Sequence, residues 1–172
     1  MQNLKEYAPD FIRFPGGCIV HGVNEATMYH WKKTIGPIEN RPGQWSKWAP
    51  YYRTDGIGYH EFYELCEYLG ADAMYVIPTG MICTGWVKQS SPWNFIQPDV
   101  DLDAYIQDAL DAIEYAIGPE TSKWGALRVK NGHPKPFPLK YIEIGNEDFG
   151  PVYWERYEKI YQALHRDRKS VV

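Results

Sequence analysis

Three short apolar runs punctuate the chain, each closed by turn-forming glycine or proline. Asp10-Phe-Ile-Arg-Phe-Pro-Gly-Gly17 and Ala73-Met-Tyr-Val-Ile-Pro-Thr-Gly80 both predict strands. The third, Lys140-Tyr-Ile-Glu-Ile-Gly-Asn-Glu-Asp-Phe-Gly150, begins as a buried strand and turns at Gly145. Between the strands the apolar period lengthens to that of a helix. Phe62, Leu65, Cys66 and Leu69 recur at i, i+3, i+4 and i+7, which predicts a helix from about residue 58 that stops at Gly70. Tyr105, Ile106, Ala109, Ile113, Ala116 and Ile117 share the face of a second helix, with Asp101 as its N-cap and Gly118-Pro119 as its end. A third opens at Pro151 and carries Trp154, Tyr157, Tyr161 and Leu164. The N-terminal Met-Gln-Asn-Leu-Lys-Glu-Tyr reads as the end of a surface helix.

Strand and helix alternate with no hairpin between strands. This predicts an α/β fold with parallel strands near residues 10–15, 73–78 and 140–145, adjacent in that order, with helices on their outer side. A chain of 172 residues holds one domain with a real core. A complete (β/α)₈ barrel takes about 250 residues, so the expectation is part of a barrel.

Two connections carry many of the aromatic residues. The first, from Cys18 to about Gly58, holds His21, Trp31, Trp45, Trp48, Tyr51 and Tyr52; the second, Met81 to Val100, holds Cys83, Trp86, Trp93, Asn94 and Phe95. Connections of this length are uncommon unless functional, and in a barrel they lie on the catalytic face. Aromatic faces suit stacking on sugar rings as well as core filling. The polar stretch Glu120 to Pro138 falls on the opposite face.

Charge and cysteine usage narrow the partners. A net charge of −4 with no long basic block argues against nucleic acid, and no apolar run reaches the roughly 20 residues of a membrane span. Cys18, Cys66 and Cys83 are odd in number and widely spaced, which argues against a disulfide framework and against a zinc site. No metal or cofactor is expected. The N-terminus lacks the charged head and apolar middle of a signal peptide, so the default address is a reducing, cytoplasmic one.

Two features carry candidate chemistry. Arg13 sits between apolar neighbours in the first strand and needs an acid, for which Glu143 and Glu147 are the candidates. Asn146 and Glu147 stand directly after the third strand, where a barrel keeps its catalytic groups. An amide beside a carboxylic acid suits glycoside hydrolysis: the acid protonates the departing oxygen while the amide grips a sugar hydroxyl. The competing reading is that the pair caps the next helix.

Several segments together resemble the α-L-arabinofuranosidases of glycoside hydrolase family 51. They are Phe11-Ile-Arg-Phe-Pro-Gly-Gly-Cys-Ile-Val-His-Gly22, Thr34-Ile-Gly-Pro-Ile-Glu-Asn-Arg-Pro42, Asp101-Leu-Asp-Ala-Tyr-Ile-Gln-Asp-Ala-Leu110 and Ile144-Gly-Asn-Glu147. The resemblance runs from about Asp10 to Leu164. It implies a retaining glycosidase that releases terminal, non-reducing arabinofuranose from arabinan or arabinoxylan. The three strands would be the second to fourth of a partial TIM barrel over residues 1–164, with 165–172 a non-matching tail. Position by position, Glu147 matches the general acid/base, Asn146 the amide that binds the hydroxyl beside the anomeric carbon, and Cys18 a position lining the arabinose subsite. His21 stands where the nearest relatives carry an acid, at the rim of that subsite. The nucleophile belongs to a later strand, beyond these residues.

The partner so implied is an arabinose-containing polysaccharide or oligosaccharide, with a homo-oligomeric parent enzyme as one expectation. Two alternatives stay open. One is another retaining glycosidase of the same clan, such as an endo-glycanase or xylosidase. The other is a catalytically silent carbohydrate-binding fragment.

Overall fold

In the computed structural model, which describes residues 2–46, 51–83, 95–96 and 99–168, the elements follow one another as α1 (Gln2–Tyr7), β1 (Phe11–Phe14), β2 (Gln44–Trp45), β3 (Tyr52–Arg53), α2 (Tyr59–Leu69), β4 (Asp72–Ile77), β5 (Ile82–Cys83), β6 (Phe95–Ile96), α3 (Leu102–Ile117), α4 (Lys123–Lys130), β7 (Leu139–Ile144) and α5 (Pro151–Arg168). Strands β1, β4 and β7 form one sheet in that order, and both pairings are parallel. The expected strand order is thus the observed one. Two antiparallel ladders, β2 with β3 and β5 with β6, lie inside the long connections, where no hairpin was expected. Among the described residues no helix is long and apolar enough to cross a membrane.

The core is built largely from aromatic rings. Phe14 of β1 stacks on Phe62 of α2 at 4.7 Å between ring centroids, and Tyr59, Tyr63, Tyr75 and Trp31 close around it. Buried tyrosines need partners for their hydroxyls. Tyr63 donates to the Tyr59 hydroxyl at 2.8 Å, and Tyr59 donates to the Ala112 carbonyl of α3 at 3.0 Å. Burial holds the Tyr59, Tyr63 and Tyr75 phenols well above the usual range, so they remain neutral. Trp31 is fully buried and donates to the Asp108 carbonyl, so this tryptophan of the first connection belongs to the core and not to the catalytic face. Trp48, Trp86, Trp93 and Asn94 lie outside the described residues.

The helices follow their sequence signals with two exceptions. Asp101 caps α3 by accepting from the Ala104 amide at 3.2 Å, as expected. Cys66 is buried on the inner face of α2, and burial pushes its thiol up to about 11. The polar stretch Glu120 to Pro138, however, contains helix α4, which Ser122 caps by accepting from the Gly125 amide. From α4 the fully buried Arg128 donates to the carbonyls of Tyr115, Gly118, His133 and Pro134. It ties the end of α3 to the chain that leads into β7.

The second exception is the flank formed by β7 and α5. The third strand was expected to be buried, yet β7 has no buried residue and Tyr141 is 41% exposed. Its outer edge meets no further strand among the described residues. On α5, Ile160 and Leu164 are buried, while Trp154 and Tyr161 of the expected stripe are exposed.

Candidate active site

The site forms where β1 and β7 end on the same edge of the sheet. β1 supplies Arg13, whose Nε donates to Glu143 Oε2 at 2.5 Å and whose Nη2 donates to Glu143 Oε1 at 2.6 Å. Of the two acids expected as partners, Glu143 is the one engaged. The doubly hydrogen-bonded Glu143 carboxylate raises the Arg13 pKa further above its ordinary value. Gly16 lets the chain turn beside this guanidinium: it has φ +65°, and a Cβ there would lie 2.9 Å from Arg13 Nη1.

At the end of β7, Gly145 (φ +81°) and Glu147 (φ +56°) both adopt the left-handed conformation, on either side of Asn146. The glycine meets this demand freely. For a glutamate it costs about 1 kcal/mol or more, and such strain persists only where the surroundings hold it. Asn146 is buried and Glu147 is exposed. Arg13 Nη2 also donates to Asn146 Oδ1 at 2.8 Å, which fixes the amide with its NH₂ group turned the other way. Asn146 Nδ2 then lies 3.4 Å from Glu147 Oε2.

Cys18 reaches the same carboxylate from the loop after β1. Its Sγ is 3.6 Å from Glu147 Oε2, and its side chain is buried. The structure therefore brings Cys18, Asn146 and Glu147 together, although residues 18 and 147 are 129 apart in sequence. An open cleft of about 440 Å³ runs beside them, lined by Glu143, Asn146, Glu147, Asp148, Tyr153 and Tyr157. Among the described residues no group of three or more His, Cys, Asp or Glu side chains is arranged to hold a metal ion.

His21 is not at a rim. It is 1% exposed and sits behind the β7 turn, with Nε2 3.0 Å from Asp148 Oδ1. Thr79, beyond β4, donates to Asp148 Oδ2 at 2.6 Å. Sequence reasoning singled out neither Asp148 nor Thr79. The one local signal was a third polar residue directly after Asn146-Glu147.

This arrangement can be set beside known proteins. The family model "Alpha-L-arabinofuranosidase 1 domain" matches residues 3–171. Alpha-L-arabinofuranosidase 1 of Arabidopsis thaliana is 39% identical over 166 residues, a match that takes in 96% of this chain and 23% of that protein. An arabinose-bound GH51 α-L-arabinofuranosidase superposes with a TM-score of 0.77 at 35% identity, over 95% of this chain and 25% of its own. The arabinose complex of the Thermotoga maritima α-L-arabinofuranosidase does so with a TM-score of 0.65 at 28% identity, over 88% and 26%. The chain spans about a quarter of the length of the relatives it matches. Its parallel α/β sheet fits part of a TIM barrel. With the family model running over nearly all of its residues, the chain belongs to the α-L-arabinofuranosidase 1 domain family, the arabinofuranosidases of glycoside hydrolase family 51.

Proposed function

We propose that this chain supplies the acid/base side of the catalytic centre of a retaining α-L-arabinofuranosidase acting on terminal arabinofuranosyl residues of arabinan or arabinoxylan. In this reading the chain is part of a barrel whose second, third and fourth strands are β1, β4 and β7, with α5 following the fourth. The observation that carries the proposal is the Glu147 carboxylate at a parallel strand end, with Cys18 Sγ at 3.6 Å and Asn146 Nδ2 at 3.4 Å. A capping role would turn that carboxylate toward the amides of α5. Its contacts are instead with two side chains beside an open cleft.

The chemistry follows from these positions. Protonated Glu147 delivers its proton to the departing glycosidic oxygen while a second carboxylate attacks the anomeric carbon and forms a glycosyl-enzyme. The two carboxyls of a retaining pair stand about 5–5.5 Å apart. Ionised Glu147 then takes a proton from the water that releases arabinose. Because Arg13 occupies Asn146 Oδ1, the amide N–H groups are what remains to grip the hydroxyl beside the anomeric carbon. Cys18 lines the arabinose subsite. The nucleophile belongs to sequence outside the 172 residues, as the resemblance implies.

Hydrolysis of an aryl α-L-arabinofuranoside tests the proposal. The 172-residue chain alone should show none. The same chain joined to the remaining barrel segments should be active. In that protein Glu147→Ala should damage natural substrates most and good aryl leaving groups least. Azide should partly restore turnover, since a small anion attacks the glycosyl-enzyme without a general base. Turnover by the short chain itself, abolished by Glu147→Ala, would sink the assignment of the nucleophile.

A further inference from the structure

Behind the strand end that carries Asn146 and Glu147 lies a polar cluster that the proposed chemistry does not use. The His21 and Asp148 side chains approach to 3.0 Å and are 0% and 1% exposed. The same imidazole nitrogen, His21 Nε2, lies 3.1 Å from the Asn146 carbonyl oxygen and 3.2 Å from the Asn146 amide nitrogen. The Asn146 N–H is placed to donate to Nε2 and the Asn146 carbonyl to accept from it, so either tautomer of the ring bonds the Asn146 peptide. Asp148 Oδ1 approaches the ring at ion-pair distance without hydrogen-bond geometry. The other oxygen of Asp148 accepts from Thr79 at 2.6 Å, which anchors the cluster to the chain leaving β4.

We propose that His21 and Asp148 are positioning residues: a buried imidazole–carboxylate pair that holds the Asn146 peptide from inside the fold and so aims the Asn146 amide and the Glu147 carboxylate outside it. Cys18 and His21 belong to one loop, three residues apart. Cys18 meets the Glu147 carboxylate, and His21 meets the Asn146 backbone. One loop thus holds a turn from a distant part of the chain at two adjacent residues. The turn needs the grip, because Gly145 and Glu147 both hold left-handed conformations around Asn146. Asp148 in turn fits only because residue 145 is glycine, where a Cβ would lie 2.1 Å from Asp148 Oδ2. The inference rests on reading Asn146 and Glu147 as the furanoside-binding pair, and His21 itself touches no substrate.

The test uses the 172-residue chain labelled with ¹⁵N-asparagine and ¹⁵N-histidine, at dilute concentration, with methyl α-L-arabinofuranoside as the probe. Wild type should give one sharp set of Asn146 signals, with a side-chain NH₂ that shifts as sugar is added. His21→Ala should broaden or double those signals and weaken sugar binding about tenfold, as for loss of one hydrogen bond to the Asn146 backbone. His21→Gln places an amide nitrogen where the imidazole Nε2 lies, and it should restore both readouts. His21→Leu fills the volume without a polar atom and should restore neither. If His21→Ala does not fold, the isosteric Asp148→Asn carries the same expectation for Asn146. His21→Leu behaving as wild type, or His21→Ala leaving both readouts unchanged, would overturn the proposal. If wild type ignores the sugar, the Asn146 signals decide alone. Their disturbance in His21→Ala and recovery in His21→Gln would keep the clamp and remove the arabinofuranoside reading.

Discussion

Two sets of aromatic side chains face different fates in this fold. Trp31, Tyr59, Tyr63, Tyr75 and Tyr115 are fully buried between β1, β4 and the helices α2 and α3. Tyr153, Trp154, Tyr157 and Tyr161 form a second series of ring contacts along α5, in which Trp154 is 61% exposed and Tyr161 38%. The rings are chemically alike. What separates them is cover: the first set lies under α2 and α3, while the second lies beside β7, whose outer edge has no strand partner among the described residues. Aromatic content alone therefore does not mark a sugar site. Of the rings in the first connection that suggested one, Trp31 is structural, whereas Trp45, Tyr51 and Tyr52 are exposed.

The contrast predicts unequal costs of substitution. Tyr59→Ala removes a ring and two hydroxyl bonds from the covered flank and should lower stability by about 3–5 kcal/mol in a denaturant melt. Trp154→Ala on the open flank should change it by no more than about 0.5 kcal/mol. Equal losses would erase the distinction. Arg128→Ala should come next, at about 3 kcal/mol, because several buried carbonyls lose their charged donor together.

The open flank should show itself in association rather than in melting. An unpaired strand edge beside exposed rings is a template for pairing with another chain. Sedimentation of the wild-type chain should show concentration-dependent association, which Tyr141→Lys at the edge should reduce. A monodisperse monomer at every concentration would contradict the comparison.

A smaller effect comes from His60, which burial holds below its ordinary imidazole pKa and whose Nδ1 lies 2.7 Å from the Tyr115 hydroxyl. Glu64 and Glu61 oppose that shift, while His133 and Arg41 reinforce it. With the folded pKa depressed, the unfolded chain binds more protons as pH falls through the ordinary histidine value near ~6.5. Stability contributed by neutral His60 is present above that value and is lost below it. His60→Gln should flatten the fall in melting temperature between about pH 7 and 5. An unchanged slope would assign the fall to other groups.

Much of this architecture can be read before any coordinates. The parallel strands are legible because each apolar run ends in glycine or proline, and α3 because its period and its cap agree. Helix α4 is not, since Gly125 interrupts its centre and its lysines blur any stripe. That glycine is there because a Cβ would lie 2.0 Å from the Pro119 carbonyl oxygen. The one usable signal was Ser122 at the N-cap. At the site, Arg13 announced an acid partner because a charge in an apolar strand demands one. The placing of His21 against Asn146 was not legible, because it joins residues 125 apart through a backbone contact that leaves no pattern. The exposure of β7 was likewise invisible, since an apolar strand reads the same whether or not a neighbour covers it.

The left-handed backbone of Glu147 sets the proposed chemistry against the durability of the fold. A side chain there works against its own main chain, so the residue assigned to proton transfer is also one the fold would be more stable without. Glu147→Gly should gain up to about 1 kcal/mol, where Glu147→Ala keeps the strained backbone and gains nothing. A melt of the two variants side by side would measure the trade. Selection for thermal robustness alone, with no demand for activity, should then drift position 147 toward glycine.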